Sequence, residues 1–95
     1  MTVESRELAL YTINTGEIYS KQTQAIIANM ARKMKQGKFD KELAVKGFEY
    51  LADSGSKAYK KEFGYSFKKS DRTIAAAEML DHYMEQIEQT AKGEN

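Results

Sequence analysis

The sequence predicts an all-α fold: a small helical bundle of three main helices plus a short N-terminal helix. Three observations carry that prediction. The chain has no proline, and its six glycines fall mostly where apolar periodicity runs out. Apolar residues recur at spacings of three and four along three segments. Good N-cap residues such as Asp40 and Ser70 precede helical segments, and Gly37 and Gly64 follow them.

The first element is the segment SRELALYTIN, with Leu8, Leu10, Tyr11 and Ile13 close together. Ser5 is the expected N-cap, and Glu7 in the first turn suits the positive end of the helix dipole. Asn14-Thr15-Gly16 then interrupts, because Asn and Gly tolerate a left-handed C-terminal residue. Thr15 equally suits the cap of the next helix. A break is expected here, with one long helix carrying a weak point as the alternative.

The second helix is expected from about Glu17 to Gln36. Tyr19, Thr23, Ile26, Ile27, Met30 and Met34 line one face. Arg32, Lys33 and Lys35 complement the negative end of the dipole, and Gly37 is the stop. The third helix opens at Asp40 as N-cap, with Phe39 packing on Ala44 as a hydrophobic staple. Its expected apolar positions are Leu43, Gly47, Tyr50, Leu51, Ser54 and Ala58. Gly47, Ser54 and Gly55 lower helix propensity, Gly by about 1 kcal/mol relative to Ala. Close approach of a neighbouring helix explains such small residues; a break at 53–56 is the alternative. One helix to about Phe63 is expected, closed by Gly64, with Tyr65 making the apolar contact of a Schellman ending. Phe67 anchors the loop. The last helix takes Ser70 as N-cap and Asp71 in its first turn, and Ile74, Ala77, Leu80, Met84 and Ile87 form its stripe, with Tyr83 at its border.

Ninety-five residues make a single domain, 1–95, with 1–4 and 90–95 expected to fray. A chain this size has a net stability of about 5–10 kcal/mol. Cysteine is absent, which removes disulfides, thiolate metal sites and thiol nucleophiles. No apolar run approaches the roughly 18 residues of a membrane span. No secretory signal is read at MTVESREL, so a cytoplasmic setting is the expectation.

The net charge of +1 is unevenly spread. Residues 32–72 carry twelve basic and six acidic groups, and residues 73–95 one basic and five acidic. The simpler account places an acidic last helix against a basic middle. The other is a basic face for an acidic partner.

Little catalytic chemistry is visible. His82 is the single histidine. With Glu78 four residues earlier it makes half of a metal site at most, since zinc takes three or four ligands. A histidine beside helix-pairing carboxylates is the plainer reading. Ser54, Ser56, Ser66 and Ser70 read as turn or cap residues. No glycine-rich phosphate loop occurs. The expectation is a protein that is no enzyme and holds no cofactor and no metal.

The most suggestive stretch is KAYKKEFGYSFKKSDR, where Lys57, Lys60, Lys61, Lys68, Lys69 and Arg72 sit among Tyr59, Phe63, Tyr65 and Phe67. Arg32, Lys33, Lys35, Lys38 and Lys41 form a second basic group around the Gly37 turn. Lysines suit phosphate contacts and rings suit stacking on bases. A solvated helix end running into a turn accounts for the same residues. Near-neutral charge and three arginines speak against base readout. A protein-interaction surface is the third reading. Six tyrosines and five methionines belong to types enriched at interfaces, and six tyrosines are many to bury in so small a core.

Residues 7–63 carry a resemblance. Glu7-Leu8-Ala9-Leu10-Tyr11, Asn29 with Arg32-Lys33, the turn at Gly37, and Tyr50-Leu51-Ala52-Asp53 followed by Lys61-Glu62-Phe63 resemble a group of small helical proteins encoded in bacteriophage genomes, a group with no assigned activity. The last helix departs most from that pattern. The resemblance implies a phage origin, a host-cytoplasm setting and no catalytic residue to carry over. The expected function is thus a small accessory protein that binds a host or phage protein. The alternative is a sequence-tolerant nucleic-acid binder using segments 32–41 and 57–72.

Overall fold

A computed structural model describes residues 3–15 and 19–93, with backbone alone at 19 and 20. Four α-helices make up the described fold: α1 (Val3–Asn14), α2 (Gln24–Lys35), α3 (Lys41–Phe63) and α4 (Lys69–Ala91). A π-helical turn, Tyr19–Thr23, leads into α2. The all-α bundle with one short N-terminal helix is therefore the fold, and no strand occurs among the described residues.

α3 and α4 form a long antiparallel pair, and α4 packs against all three other helices. α1 lies against the C-terminal half of α3, where Thr12 meets Gly55. α2 lies against the N-terminal half, where Met30 meets Gly47. The two short helices thus share the length of α3, and the molecule measures 41 × 23 × 16 Å.

The ends at Asp40, Gly37 and Gly64 follow their sequences. The Asp40 side chain accepts from Glu42 N–H at 2.9 Å, capping α3 as expected. Gly37 and Gly64 both have positive φ, at 73° and 77°. The Schellman pair of bonds belongs to Gly37, not Gly64. Gly37 N–H donates to the Met34 carbonyl at 3.1 Å and Lys38 N–H to that of Lys33 at 2.8 Å. Gly64 makes the simpler left-handed ending, one bond from its N–H to the Lys60 carbonyl at 2.7 Å. Its apolar companion is still Tyr65, whose ring lies 6.4 Å from that of Tyr59.

The break after Asn14 is present. The Thr15 hydroxyl donates back to the Tyr11 carbonyl at 2.7 Å, and the residues it was expected to cap lie outside the described ones. α2 proper starts only at Gln24. The expected start near Glu17 and the expected Tyr19 side chain fall outside the described residues. α3 is one helix through residues 53–56. A Cβ built on Gly55 would collide with Thr12 Oγ1 and stand 3.0 Å from Thr12 Cβ, so close approach is what this glycine allows.

Two expected caps are corrected. α1 begins at Val3, which puts Ser5 inside the helix and fully buried, with its hydroxyl 3.4 Å from Glu78 Oε1. α4 begins at Lys69, so Ser70 lies inside it and Lys68 occupies the cap without a side-chain bond. The loop is held instead by Arg72, which donates to the Phe67 carbonyl at 2.6 Å and pairs with Asp53 at 2.8 Å.

Two apolar stripes are rotated from expectation. On α3 the buried positions are Ala44, Phe48, Leu51, Ala52, Gly55 and Ser56, while Leu43 and Tyr50 stay 50% and 64% exposed. Phe48 sets that face, stacking on Tyr83 with ring centroids 5.8 Å apart and planes 7° apart. On α4, Ala75, Ala76, Met79, Leu80, Tyr83 and Ile87 are buried, and Ile74, Ala77 and Met84 lie at the margins. Three neighbours bury a wider arc of α4 than one stripe provides. On α1, Leu8 is buried but Leu10 is 48% exposed.

The acidic last helix does lie against the basic middle, since α4 packs along both α3 and α2. Arg72 of α4 pairs with Asp53 of α3 at 2.8 Å.

Candidate docking surface where α1, α3 and the α3–α4 loop meet

The eleven residues singled out from sequence divide into two groups. Arg32, Lys33, Lys35 and Lys38 surround the α2–α3 turn. Lys57, Lys60, Lys61, Tyr65, Lys68, Lys69 and Arg72 surround the α3–α4 loop. α3 separates those turns by about 35 Å at 1.5 Å per residue. They are two surfaces at opposite ends.

The first is sparse. Arg32 donates to Asn29 Oδ1 at 2.6 Å, and Phe39 is the one aromatic residue in that turn. A crevice between α2 and α3, lined by Ile26, Met30, Phe39 and Leu43, holds only about 80 Å³. A drug-sized ligand occupies several times that volume.

The second is built differently. Tyr59 and Phe63, one turn apart on α3, face α1 and the loop. Tyr11 meets Tyr59 edge-on at 5.0 Å and 82°. Tyr59 also contacts Phe63 at 4.6 Å and Phe67 at 4.9 Å. Tyr65 meets Phe67 edge-on at 4.9 Å and 80°. Five rings from three elements thus form one cluster centred on Tyr59. Phe67 is its buried base, while Phe63 is 59% and Tyr65 45% exposed. Leu10 lies beside them, lining a shallow groove with Tyr11, Tyr59 and Phe63.

Hydrogen bonds fix the tyrosines. Tyr11 donates to Glu62 Oε2 at 3.0 Å and Tyr59 to Glu7 Oε2 at 3.2 Å. Each bond ties α1 to α3. Desolvation against the neighbouring rings, then donation to a carboxylate, raises both phenol pKa values above the ordinary one. Both phenols are thereby held as donors.

The charged rim is divided. Glu7 and Glu62 stand on the α1 side. Lys60, about 100° round α3 from Tyr59, stands on the α4 side with Lys68 and Lys69. Lys57 and Lys61 lie about 160° round the helix and turn away from the rings. Arg72 is committed to Asp53 and the Phe67 carbonyl, so it holds the loop rather than the rim.

Four of the five rings lie in the stretch 57–72 that the sequence singles out, but Leu10, Tyr11, Glu7 and Glu62 were not placed on that surface, because α1 and α3 are about fifty residues apart in the chain. His82 is exposed and meets the Tyr83 ring edge-on at 4.7 Å. Among the described residues no group of three His, Asp or Glu is placed to hold a metal ion. No described helix is long and apolar enough to cross a membrane.

No family model, curated protein or solved structure matches this chain.

Proposed function

We propose that this protein is a non-enzymatic binding module that docks another protein on the aromatic surface around Tyr59, Phe63 and Tyr65. The observation that supports this reading is the half-exposed state of Phe63 and Tyr65, with Leu10 beside Phe63. Aromatic anchors ringed by polar side chains are the composition of interface cores. The resemblance of residues 7–63 to small phage-encoded proteins makes a host or phage protein in the host cytoplasm the natural class of partner. A pull-down from host lysate compares wild type with Phe63→Ser/Tyr65→Ser. The reading expects a specific protein that the variant loses. Identical capture by both sinks it.

Nucleic-acid binding is the second reading, favoured by five lysines near one loop with no carboxylate paired to them among the described residues. The geometry supports it less. Rings packed edge-to-face offer few flat faces for bases, and Glu7 and Glu62 at the rim repel phosphates. Anisotropy of labelled DNA and RNA at rising salt tests it. Phosphate contacts weaken steeply with salt. Charge reversal at Lys60, Lys61, Lys68 and Lys69 that left the affinity unchanged would remove this reading.

A further inference from the structure

We infer that the groove between α1 and α3 on this surface takes an arginine side chain of the partner protein. This inference rests on the docking reading above and names the chemistry that the partner brings to the face.

Glu7, Leu10 and Tyr11 of α1 line the groove with Tyr59 and Phe63 of α3, and Asn14 and Thr15 stand at its α1 end. Three features of this lining favour a cation. The first is a carboxylate with an oxygen left to accept. The Tyr59 hydroxyl donates to Oε2 of Glu7 at 3.2 Å, and no described group bonds Oε1. Glu62 is used in the same way, its Oε2 accepting from Tyr11 at 3.0 Å. Each phenol thus fixes a carboxylate and leaves half of it open. The second is the end of α1. Asn14 closes the helix, and its last turn holds no basic residue to offset the negative end of the dipole. The third is the ring of Phe63, 59% exposed, since a ring face attracts a cation through its quadrupole.

Among the described residues no cation lines the groove. Arg6 lines the neighbouring depression with Ile13, Glu78 and His82, and Leu10 stands between it and the groove. Lys60, exposed on the α4 side of Phe63, is likewise outside the lining. Arginine suits the site better than lysine. Its planar guanidinium stacks on a ring while its N–H groups donate to a carboxylate in plane. Leu10 covers the methylene stem. One ring face is enough for a guanidinium, where a run of bases needs several. A phosphate there meets Glu7 and the negative helix end, and is repelled.

The test is an NMR titration of the isotope-labelled protein with a capped Gly-Arg-Gly peptide. The expected result is saturable shifts at Leu10, Tyr59 and Phe63, with a dissociation constant of about 1–10 mM at low salt. Added salt weakens the binding. The citrulline counterpart keeps the shape, loses the charge and binds about tenfold more weakly. The lysine counterpart also binds more weakly than arginine. Glu7→Gln still accepts from Tyr59 and lowers the affinity for the arginine peptide about tenfold. Phe63→Leu keeps apolar bulk without the ring and lowers it about threefold. Amide shifts away from the groove report whether each variant keeps the fold. No saturable shift at tens of millimolar peptide, a citrulline or lysine peptide that binds as well, or an affinity untouched by both variants overturns the inference. A lysate partner lost on Phe63→Ser/Tyr65→Ser but held by Glu7→Gln leaves the docking reading standing while the arginine anchor falls.

Discussion

At Gly55 a missing side chain decides how two helices meet. Thr12 fills the space a Cβ would take, and the Thr12 hydroxyl turns back to the Leu8 carbonyl at 2.8 Å. Gly55→Ala gains helix propensity of about 1 kcal/mol but forces α1 away from α3. We expect a net destabilisation of about 1–3 kcal/mol by urea unfolding, the usual range for overpacking. A stability equal to wild type would mean α1 does not cross here. The paired tyrosines give a second prediction at this scale. Their phenol pKa values are raised in the folded protein, so the folded state holds these protons more tightly than the unfolded chain. The stabilisation is fully present below the unfolded value, about pH 10, and is lost as pH rises through the folded one. Spectrophotometric titration should show two tyrosines ionising late. Glu62→Gln should bring Tyr11 back toward the ordinary value, and an unchanged Tyr11 titration would contradict the bond to Glu62. Neither feature was legible beforehand in full. Gly55 announced a close approach, but its partner lay in a segment whose facing side the sequence left open.

At the scale of the helix, the ends were legible and the faces less so. Asp40, Gly37 and Gly64 act where their chemistry places them, because caps are local and need only a few neighbouring residues. Asp40→Ala should therefore cost about 1 kcal/mol in thermal or urea unfolding. Gly64→Ala should cost about 1–2 kcal/mol, the strain of a left-handed non-glycine residue. It should also loosen Tyr65 from Tyr59, seen as faster hydrogen exchange across the α3–α4 loop. Ser5 and Ser70 have cap chemistry too, yet both lie inside helices. One is buried by α4, and the other is preceded by a loop that Arg72 ties down. The stripes of α3 and α4 depend on which neighbour each helix meets. Leu43 and Tyr50 fit a helical period as well as Ala44 and Phe48 do. Only the stacking of Phe48 on Tyr83 decides which face turns inward.

At the scale of the molecule, the bundle separates what composition had merged. The basic middle becomes two ends divided by the length of α3, and only one of them has an aromatic floor. The sequence showed lysines and rings interleaved over residues 57–72, but α1 brings Leu10, Tyr11 and Glu7 to that end and divides its rim by charge. This end, rather than any other exposed aromatic, is the proposed docking site. Tyr50 provides the control, since it is more exposed than Tyr65 and lies outside the cluster. The most direct measurement places a photo-crosslinking amino acid at position 65 or at position 50 and compares the adducts formed in living cells. A discrete protein adduct is expected from position 65 and none from position 50. Equal adducts from both positions, or an adduct from position 50 alone, would contradict the docking reading.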